Sequence, residues 1–165
     1  MGSLLKGMTR VPWGDLGGAQ GSARDIPGLL SRIAYGDETV ARMAIDELSE
    51  CVCALGFVLG DATAPTVPFL IELAGAPGVP CKAELLDLLE SIYRTDQWHV
   101  AAAAAGGPRR KGYKDQPGWE VASRAAVLAG RPVIEGLSDA VQPDVAEAAQ
   151  ALLRAFDEDL KFPEV

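Results

Sequence analysis

The chain has few of the residues that usually carry enzyme chemistry. Its 165 residues include a single histidine, three cysteines and only 6% aromatic side chains. A pair of histidine ligands is therefore impossible, and no zinc-ligand spacing, glycine-rich phosphate loop or GxSxG nucleophile turn occurs. From these absences we predict no catalytic residue, no metal site and no cofactor.

Long apolar runs are also missing. The most hydrophobic stretch, residues 67–74, is interrupted by Glu72 and lies among several prolines, whereas a membrane-spanning helix needs about 18 or more apolar residues in succession. No secretory signal can be recognised at the N-terminus. We expect a cytoplasmic protein without a membrane partner.

The cysteines are an odd number, which argues against a disulfide framework. Cys51 and Cys53 lie two residues apart on a predicted helix, so their side chains point in nearly opposite directions and cannot share a metal ion. We expect these thiols and Cys81 to be small buried apolar groups. A Cys–His pair with His99 is the alternative, and it requires an exposed thiol near the imidazole.

Basic charge is scarce. The chain contains 15 Lys and Arg and 23 Asp and Glu, which gives a net charge of -8. Because the average surface of such a chain repels phosphate backbones, nucleic acid is not the expected partner. One exception is the segment 106–119, in which Arg109, Arg110, Lys111 and Lys114 outnumber Asp115.

The residues that are abundant predict one all-α domain spanning residues 1–165. Hydrophobic residues make up 48% of the chain, which is sufficient for a single core at this length. Alanine and leucine are frequent and β-branched runs are short, a composition typical of closely packed helices.

An internal repeat is anchored by three prolines, Pro27, Pro68 and Pro132, of which the first two are 41 residues apart and the last two 64 apart. Apolar residues recur at fixed offsets from each proline, a pattern of paired helices. They lie at +2 (Leu29, Leu70, Ile134), +13 (Val40, Cys81, Val145), +17 (Ala44, Leu85, Ala149) and +21 (Leu48, Leu89, Leu153). The sequence thus predicts three repeats, each with two helices.

The repeat also predicts helix boundaries. Each anchoring proline should begin a first helix, because its missing N–H has no partner in the first turn. Asp25 and Asp37 are candidate N-caps for the two helices of the first repeat, and the second helix of the last repeat should restart at Pro143. In the second helix of the first repeat, the expected buried positions are spaced by four residues: Val40, Ala44, Leu48 and Cys51.

The longer second spacing implies an insertion of 23 residues between the second and third repeats, which we place at residues 96–118. Trp119 should begin an extra helix that ends at Gly130 as a C-terminal cap. Residues 1–24 precede the first repeat as an N-terminal extension.

The phrases DIPGLL, DATAPTVPFLIELA, VPCKAELLDLLESI and SRAAVLAGRPVIEGLSDAVQPDVAEAAQALL resemble a group of actinobacterial HEAT-repeat proteins. The resemblance spans roughly residues 13–156. It implies a right-handed α-α superhelix of about three HEAT-like helix pairs, with an inserted loop or helix, used mainly for protein recognition. The arginine that typically opens the second helix is replaced by Ala41, Lys82 and Ala146, so cohesion between repeats should rest on apolar packing.

Two pairs of carboxylates share helix faces, Asp46 with Glu50 and Glu84 with Asp87. Acid–base chemistry would require burial to raise one pKa in such a pair. The commoner interpretation is a solvated face or an acidic binding surface.

The predicted function is binding of another protein without catalysis, as an adaptor or as an inhibitor of the immunity type, by a monomer or weak homodimer. The candidate contact residues lie in or beside the insertion, where aromatic anchors and basic steering groups combine. They are Trp98, His99, Arg109, Arg110, Lys111, Tyr113, Lys114 and Trp119. Two alternatives remain: the segment is only a soluble connector with core tryptophans, or it binds nucleic acid as in DNA glycosylases built from HEAT-like helices.

Overall fold

The computed structural model describes residues 5, 7–18, 21–53, 60–94 and 116–161, and side chains are not described for residues 17–18, 21–22, 116–117 and 159–161. Helices dominate these ranges. The α-helices are α1 (Ile26–Tyr35), α2 (Glu38–Val52), α3 (Thr63–Gly75), α4 (Lys82–Tyr93), α5 (Gln116–Ala129), α6 (Arg131–Leu137) and α7 (Pro143–Lys161). The prediction of an all-α fold is confirmed.

Before α1, the described chain forms short 3-10 helices at Met8–Arg10, Trp13–Asp15 and Ala23–Asp25. It also forms two short antiparallel strands of two residues each, β1 (Gly17–Gly18) and β2 (Gly21–Ser22). This N-terminal part packs on α3. Trp13 is buried with its ring centroid 6.1 Å from that of Phe69, and the Leu5 amide donates to Glu72 Oε1 at 2.6 Å.

The helices pack in two rows. α1 lies against α2, α3 against α4, and α6 against α7. The first helices of these pairs also contact one another in the order α1, α3, α6, and the second helices in the order α2, α4, α7. α5 packs on α3 and α4.

One core runs through both rows. Its largest fully buried side chains come from helices of every pair: Ile26, Leu30, Ile33, Leu48, Leu70, Leu73, Leu85, Leu86, Leu89, Ile92 and Phe156. The residues predicted at +2 and +17 are buried in all three repeats. Leu48 and Leu89 at +21 are buried as well, whereas Leu153 is partly buried against the core.

The prediction for the buried face of α2 is wrong at its first position. Val40 is exposed over 40% of its surface, whereas the neighbouring Ala41 is fully buried. A spacing of four residues drifts by about 40° per step around a helix of 3.6 residues per turn, so Val40 cannot share one face with Leu48 and Val52. Cys51 lies only about 20° from Val40 around the helix axis, at the edge of the buried face, and is partly buried.

The prediction that each anchoring proline begins a helix is confirmed for Pro27 and Pro132, each in the first turn of its helix. It is wrong for Pro68. Pro68 is the sixth residue of α3. The helix begins five residues earlier, at Thr63, whose Oγ1 accepts from the Gly60 amide at 3.0 Å and donates to the Val52 carbonyl at 2.7 Å. Pro68 therefore removes one internal hydrogen bond from α3, the bond that residue 68 would donate to the Ala64 carbonyl.

Other helix ends agree more closely with the sequence. Asp37 caps α2 by accepting from the Val40 amide at 2.9 Å, and α7 begins at Pro143. Asp25 holds the N-cap position of α1, but its side chain makes no capping bond because a 3-10 turn runs directly into the helix. α5 begins at Gln116, three residues before the predicted start at Trp119, and ends before Gly130.

Candidate functional site

Most residues of the predicted binding segment lie outside the described part of the chain. These are Trp98, His99, Arg109, Arg110, Lys111, Tyr113 and Lys114. Trp119, in the first turns of α5, is partly buried and packs against the core. The predicted insertion, residues 96–118, also lies outside the described residues except for 116–118, which belong to α5.

The described residues contain a groove between α2 and α4 with a volume of about 360 Å³. We call it the acidic groove. Two carboxylates from each helix line it, and none of its lining residues is basic. The lining residues are Ile45, Asp46, Ser49, Glu50 and Cys53 from α2 and its end, and Glu84, Asp87, Leu88 and Ser91 from α4.

The helical period explains how each helix contributes a pair of acids. Asp46 and Glu50 are four residues apart on α2, and Glu84 and Asp87 are three apart on α4, so each pair projects from one side of its helix. Because α2 and α4 pack side by side, the two pairs line the same groove. The sequence indicates each pair but not their meeting, which depends on the packing of two helices from different repeats.

The floor of the groove is apolar. Ile45, Leu88 and Cys53 each expose 6% or less of their surface. Burial, with a smaller contribution from Glu50, raises the pKa of the Cys53 thiol to about 12, so this side chain is neutral at physiological pH. A partner entering the groove would therefore meet acidic walls above an uncharged floor.

At one end of the groove, the negative charge of Glu84 is partly neutralised by Arg42. The Arg42 guanidinium lies 2.8 Å from the Glu38 carboxylate and 3.7 Å from that of Glu84. All three side chains are substantially exposed, so these ion pairs stabilise the fold little. Among the described residues, no Lys or Arg side chain forms an ion pair with Asp46, Glu50 or Asp87.

The surroundings of Asp87 in the groove disfavour the ionised form of its carboxyl group. Partial burial, and then the nearby carboxylates of Glu90 and Glu84, raise the pKa of Asp87 above its ordinary value. The folded state thus retains this proton to a higher pH than the unfolded state does. The protonated Asp87 therefore contributes to the free energy of unfolding at low pH. This contribution is lost as the pH rises through the raised pKa.

We therefore expect the substitution Asp87→Asn to stabilise the protein at pH 7 and to have no stabilising effect at pH 3, where both states are protonated. The gain should be about 0.5 kcal/mol or less, because the side chain is on the surface. Thermal melts of both proteins across this pH range measure the difference. Asp139→Asn, at an exposed carboxylate outside the groove, is the matched control, and an equal pH dependence in both variants would contradict the assignment.

A second cavity, of about 600 Å³, lies between the start of α2, the loop before α4 and the loop between α6 and α7. At its edge Cys81 has left-handed backbone angles, φ 59° and ψ 37°, and its thiol donates to the Glu38 carbonyl over 3.6 Å. Lys82 donates to the Ala76 carbonyl at 2.5 Å, and burial lowers its pKa. Because both acidic and basic residues line this cavity, its charge does not favour one class of ligand.

Within the residues that the structure covers, no group of three or more His, Cys, Asp or Glu side chains could hold a metal ion. Nor does any helix among them have the length and apolarity needed to cross a membrane. Comparisons of the chain with protein families, with curated proteins and with solved structures found no match.

Proposed function

We propose that this protein is a non-catalytic scaffold that binds another protein through the acidic groove. The groove carries this proposal, since four carboxylates from two repeats surround an apolar floor and no basic residue lines it. Charged walls around an uncharged floor favour recognition over acid–base chemistry, which needs a group that accepts or donates protons near pH 7 at a defined point.

We further propose that the fold is a short α-solenoid of HEAT-like pairs. Three helix pairs with their first helices in one row and their second helices in the other support this proposal. In such a stack the second helices present one continuous surface to a partner. The acidic groove belongs to that row, between α2 and α4.

The partner that fits is a protein segment rich in Lys and Arg that also presents an apolar side chain. Opposite charge would accelerate association and select the partner. Burial of an apolar side chain against Ile45 and Leu88 would then lengthen the life of the complex, since desolvated central contacts carry most binding energy. An adaptor and an inhibitor of a basic target would both use this chemistry.

The basic segment remains a predicted second contact, which would bind an acidic part of the same partner. Its residues are Arg109, Arg110 and Lys111. Nucleic acid is disfavoured at the groove, because phosphates would meet carboxylates there. A nucleic-acid function would have to rest on the basic segment alone.

The test is binding of a short synthetic helix-forming peptide of lysines and leucines, measured by isothermal titration calorimetry. Asp46→Lys combined with Asp87→Lys should weaken binding at least tenfold, because the substitutions place like charges in contact. The control combines Asp139→Lys and Glu147→Lys, two exposed carboxylates outside the groove, which change the net charge equally. Raising the salt concentration should weaken binding to the wild type and to the control.

Host-cell capture then tests the function itself. The wild type and the control should retain a common protein that the groove variant loses. Retention of the same proteins by the groove variant, or equal loss of peptide binding in groove and control variants, would refute the proposal.

A further inference from the structure

Arg42 lies at the boundary between the acidic groove and the second cavity. Glu84 lines both of them, whereas Arg42 and Glu38 line the second cavity and not the groove. The Arg42 guanidinium therefore approaches the Glu84 carboxylate from outside the groove, and a partner in the groove would approach the same carboxylate from the other side. Glu84 is thus the groove acid for which a cation of this chain and a cation of the partner can compete.

The two carboxylates that Arg42 contacts hold it unequally. Arg42 Nη2 donates to Glu38 Oε1 at 2.8 Å, a hydrogen bond between residues four apart on α2. Arg42 Nε lies 3.7 Å from Glu84 Oε1, which is beyond hydrogen-bond distance, and this contact crosses from α2 to α4. The side chains of Arg42 and Glu84 are 50% and 41% exposed, so water readily replaces a lost ion pair between them. Arg42 can therefore leave Glu84 without losing its hydrogen bond to Glu38.

We propose that Arg42 is an internal competitor for the acidic groove, which neutralises Glu84 in the free protein and releases it to a cation of the bound partner. The inference rests on the proposed function of the groove and specifies how binding there is limited. In the complex, Arg42 stays on Glu38, and a lysine or arginine of the partner pairs with Glu84. Each of the two cations then has a carboxylate, so the exchange leaves no buried or unbalanced charge.

This exchange makes the groove selective among basic segments. A partner's cation at Glu84 must replace an existing ion pair, and Arg42 repels it until the guanidinium has moved. A segment with no cation at that end of the groove leaves Arg42 in place and binds through fewer ion pairs. Specificity commonly arises in this way, from an interaction that disfavours the wrong partner as well as from those that favour the right one.

Isothermal titration calorimetry with the lysine–leucine peptide tests the role of Arg42. Arg42→Gln should tighten binding about threefold, because it removes a like charge a few ångströms from the peptide cation. Arg42→Lys keeps the positive charge and its pairing with Glu38, so its affinity should stay within about twofold of that of the wild type. Arg154→Gln, at an exposed arginine on α7, changes the net charge equally and should tighten binding by less than about twofold, since salt screens distant charges.

Glu38→Gln tests where Arg42 goes. Without the Glu38 carboxylate, Arg42 should remain on Glu84, so binding of the peptide should weaken about threefold. Glu147→Gln, at an exposed carboxylate on α7, is the control and should weaken binding by less than about twofold. In a protein that carries Arg42→Gln, Glu38→Gln should have no larger effect than this control, because no guanidinium is left to redirect. Circular dichroism checks that each variant is folded.

The outcomes separate this inference from the proposed function. If the peptide does not bind the wild type, or if Asp46→Lys with Asp87→Lys leaves binding unchanged, the groove is not the contact and both proposals are wrong. If the groove variant loses binding as expected, a different result overturns the role of Arg42 alone. That result is an Arg42→Gln protein that binds no more tightly than Arg154→Gln, or an equal effect of Glu38→Gln with and without Arg42.

Discussion

Replacing Gly130 by alanine is expected to destabilise the protein by about 1–3 kcal/mol, the usual cost of overpacking a core. A Cβ atom at Gly130 would overlap Cδ1 of Ile71 and lie within 2.9 Å of Cγ1 and Cγ2 of the same side chain. Ile71 is buried on α3, so it has little room to move. The melting temperature should fall by several degrees, at roughly 2–4 °C per kcal/mol for a chain of this size.

Gly136→Ala in α6 is the matched control. A Cβ atom there meets nothing within 4 Å, and alanine is the better helix former, so this variant should be as stable as the wild type or slightly more stable. The cost of Gly130→Ala should also be smaller in a protein that carries Ile71→Ala, because the overlapping atoms are gone. A full cost of Gly130→Ala in both backgrounds would contradict the proposed steric cause.

The substitution Phe156→Ala should have the largest effect, a loss of about 3–5 kcal/mol. Phe156 on α7 is 1% exposed, and its ring meets that of Tyr93 on α4 edge to face, with centroids 4.8 Å apart at 72°. The Arg131 guanidinium lies 5.8 Å from the same ring. Truncation would remove this ring contact between the last helix pair and the second and leave a cavity in the shared core.

Phe156→Leu keeps much of the volume and should cost clearly less, so the comparison separates cavity formation from the aromatic contact, which contributes about 0.5–1.5 kcal/mol. Arg154→Ala, at an exposed position of the same helix, should change stability by no more than about 0.5 kcal/mol. Urea unfolding measures all three variants. Equal effects of Phe156→Ala and Arg154→Ala would show that this part of the core contributes nothing.

Local signals predicted much of the helical framework. Asp37 identified the start of α2, Pro132 the start of α6, and the +17 residues Ala44, Leu85 and Ala149 the centre of the buried faces. These predictions succeed because a cap and the spacing of apolar residues are both properties of a single helix. Pro68 misled the prediction because it is the sixth residue of α3, whose first residue, Thr63, is hydrogen-bonded to the Val52 carbonyl at the end of α2.

The candidate site was predictable only in part, for a related reason. The pairs Asp46 with Glu50 and Glu84 with Asp87 follow from helical spacing, but a groove exists only once α2 and α4 are neighbours. Gly130 shows the same limit. It was predicted as the C-terminal cap of the extra helix, and α5 does end at Ala129, directly before it. Its φ is -88°, so the property that the structure requires of Gly130 is space beside Ile71. Contacts between helices distant in sequence leave no local pattern.

The binding surface can be located directly by NMR of the labelled wild type during titration with the lysine–leucine peptide. We expect the amide shifts to change most along α2 and α4, at Asp46, Ser49, Asp87 and Ser91, and to saturate together. Changes concentrated on α5 or α7, with α2 and α4 unaffected, would contradict the claim that the acidic groove is the contact.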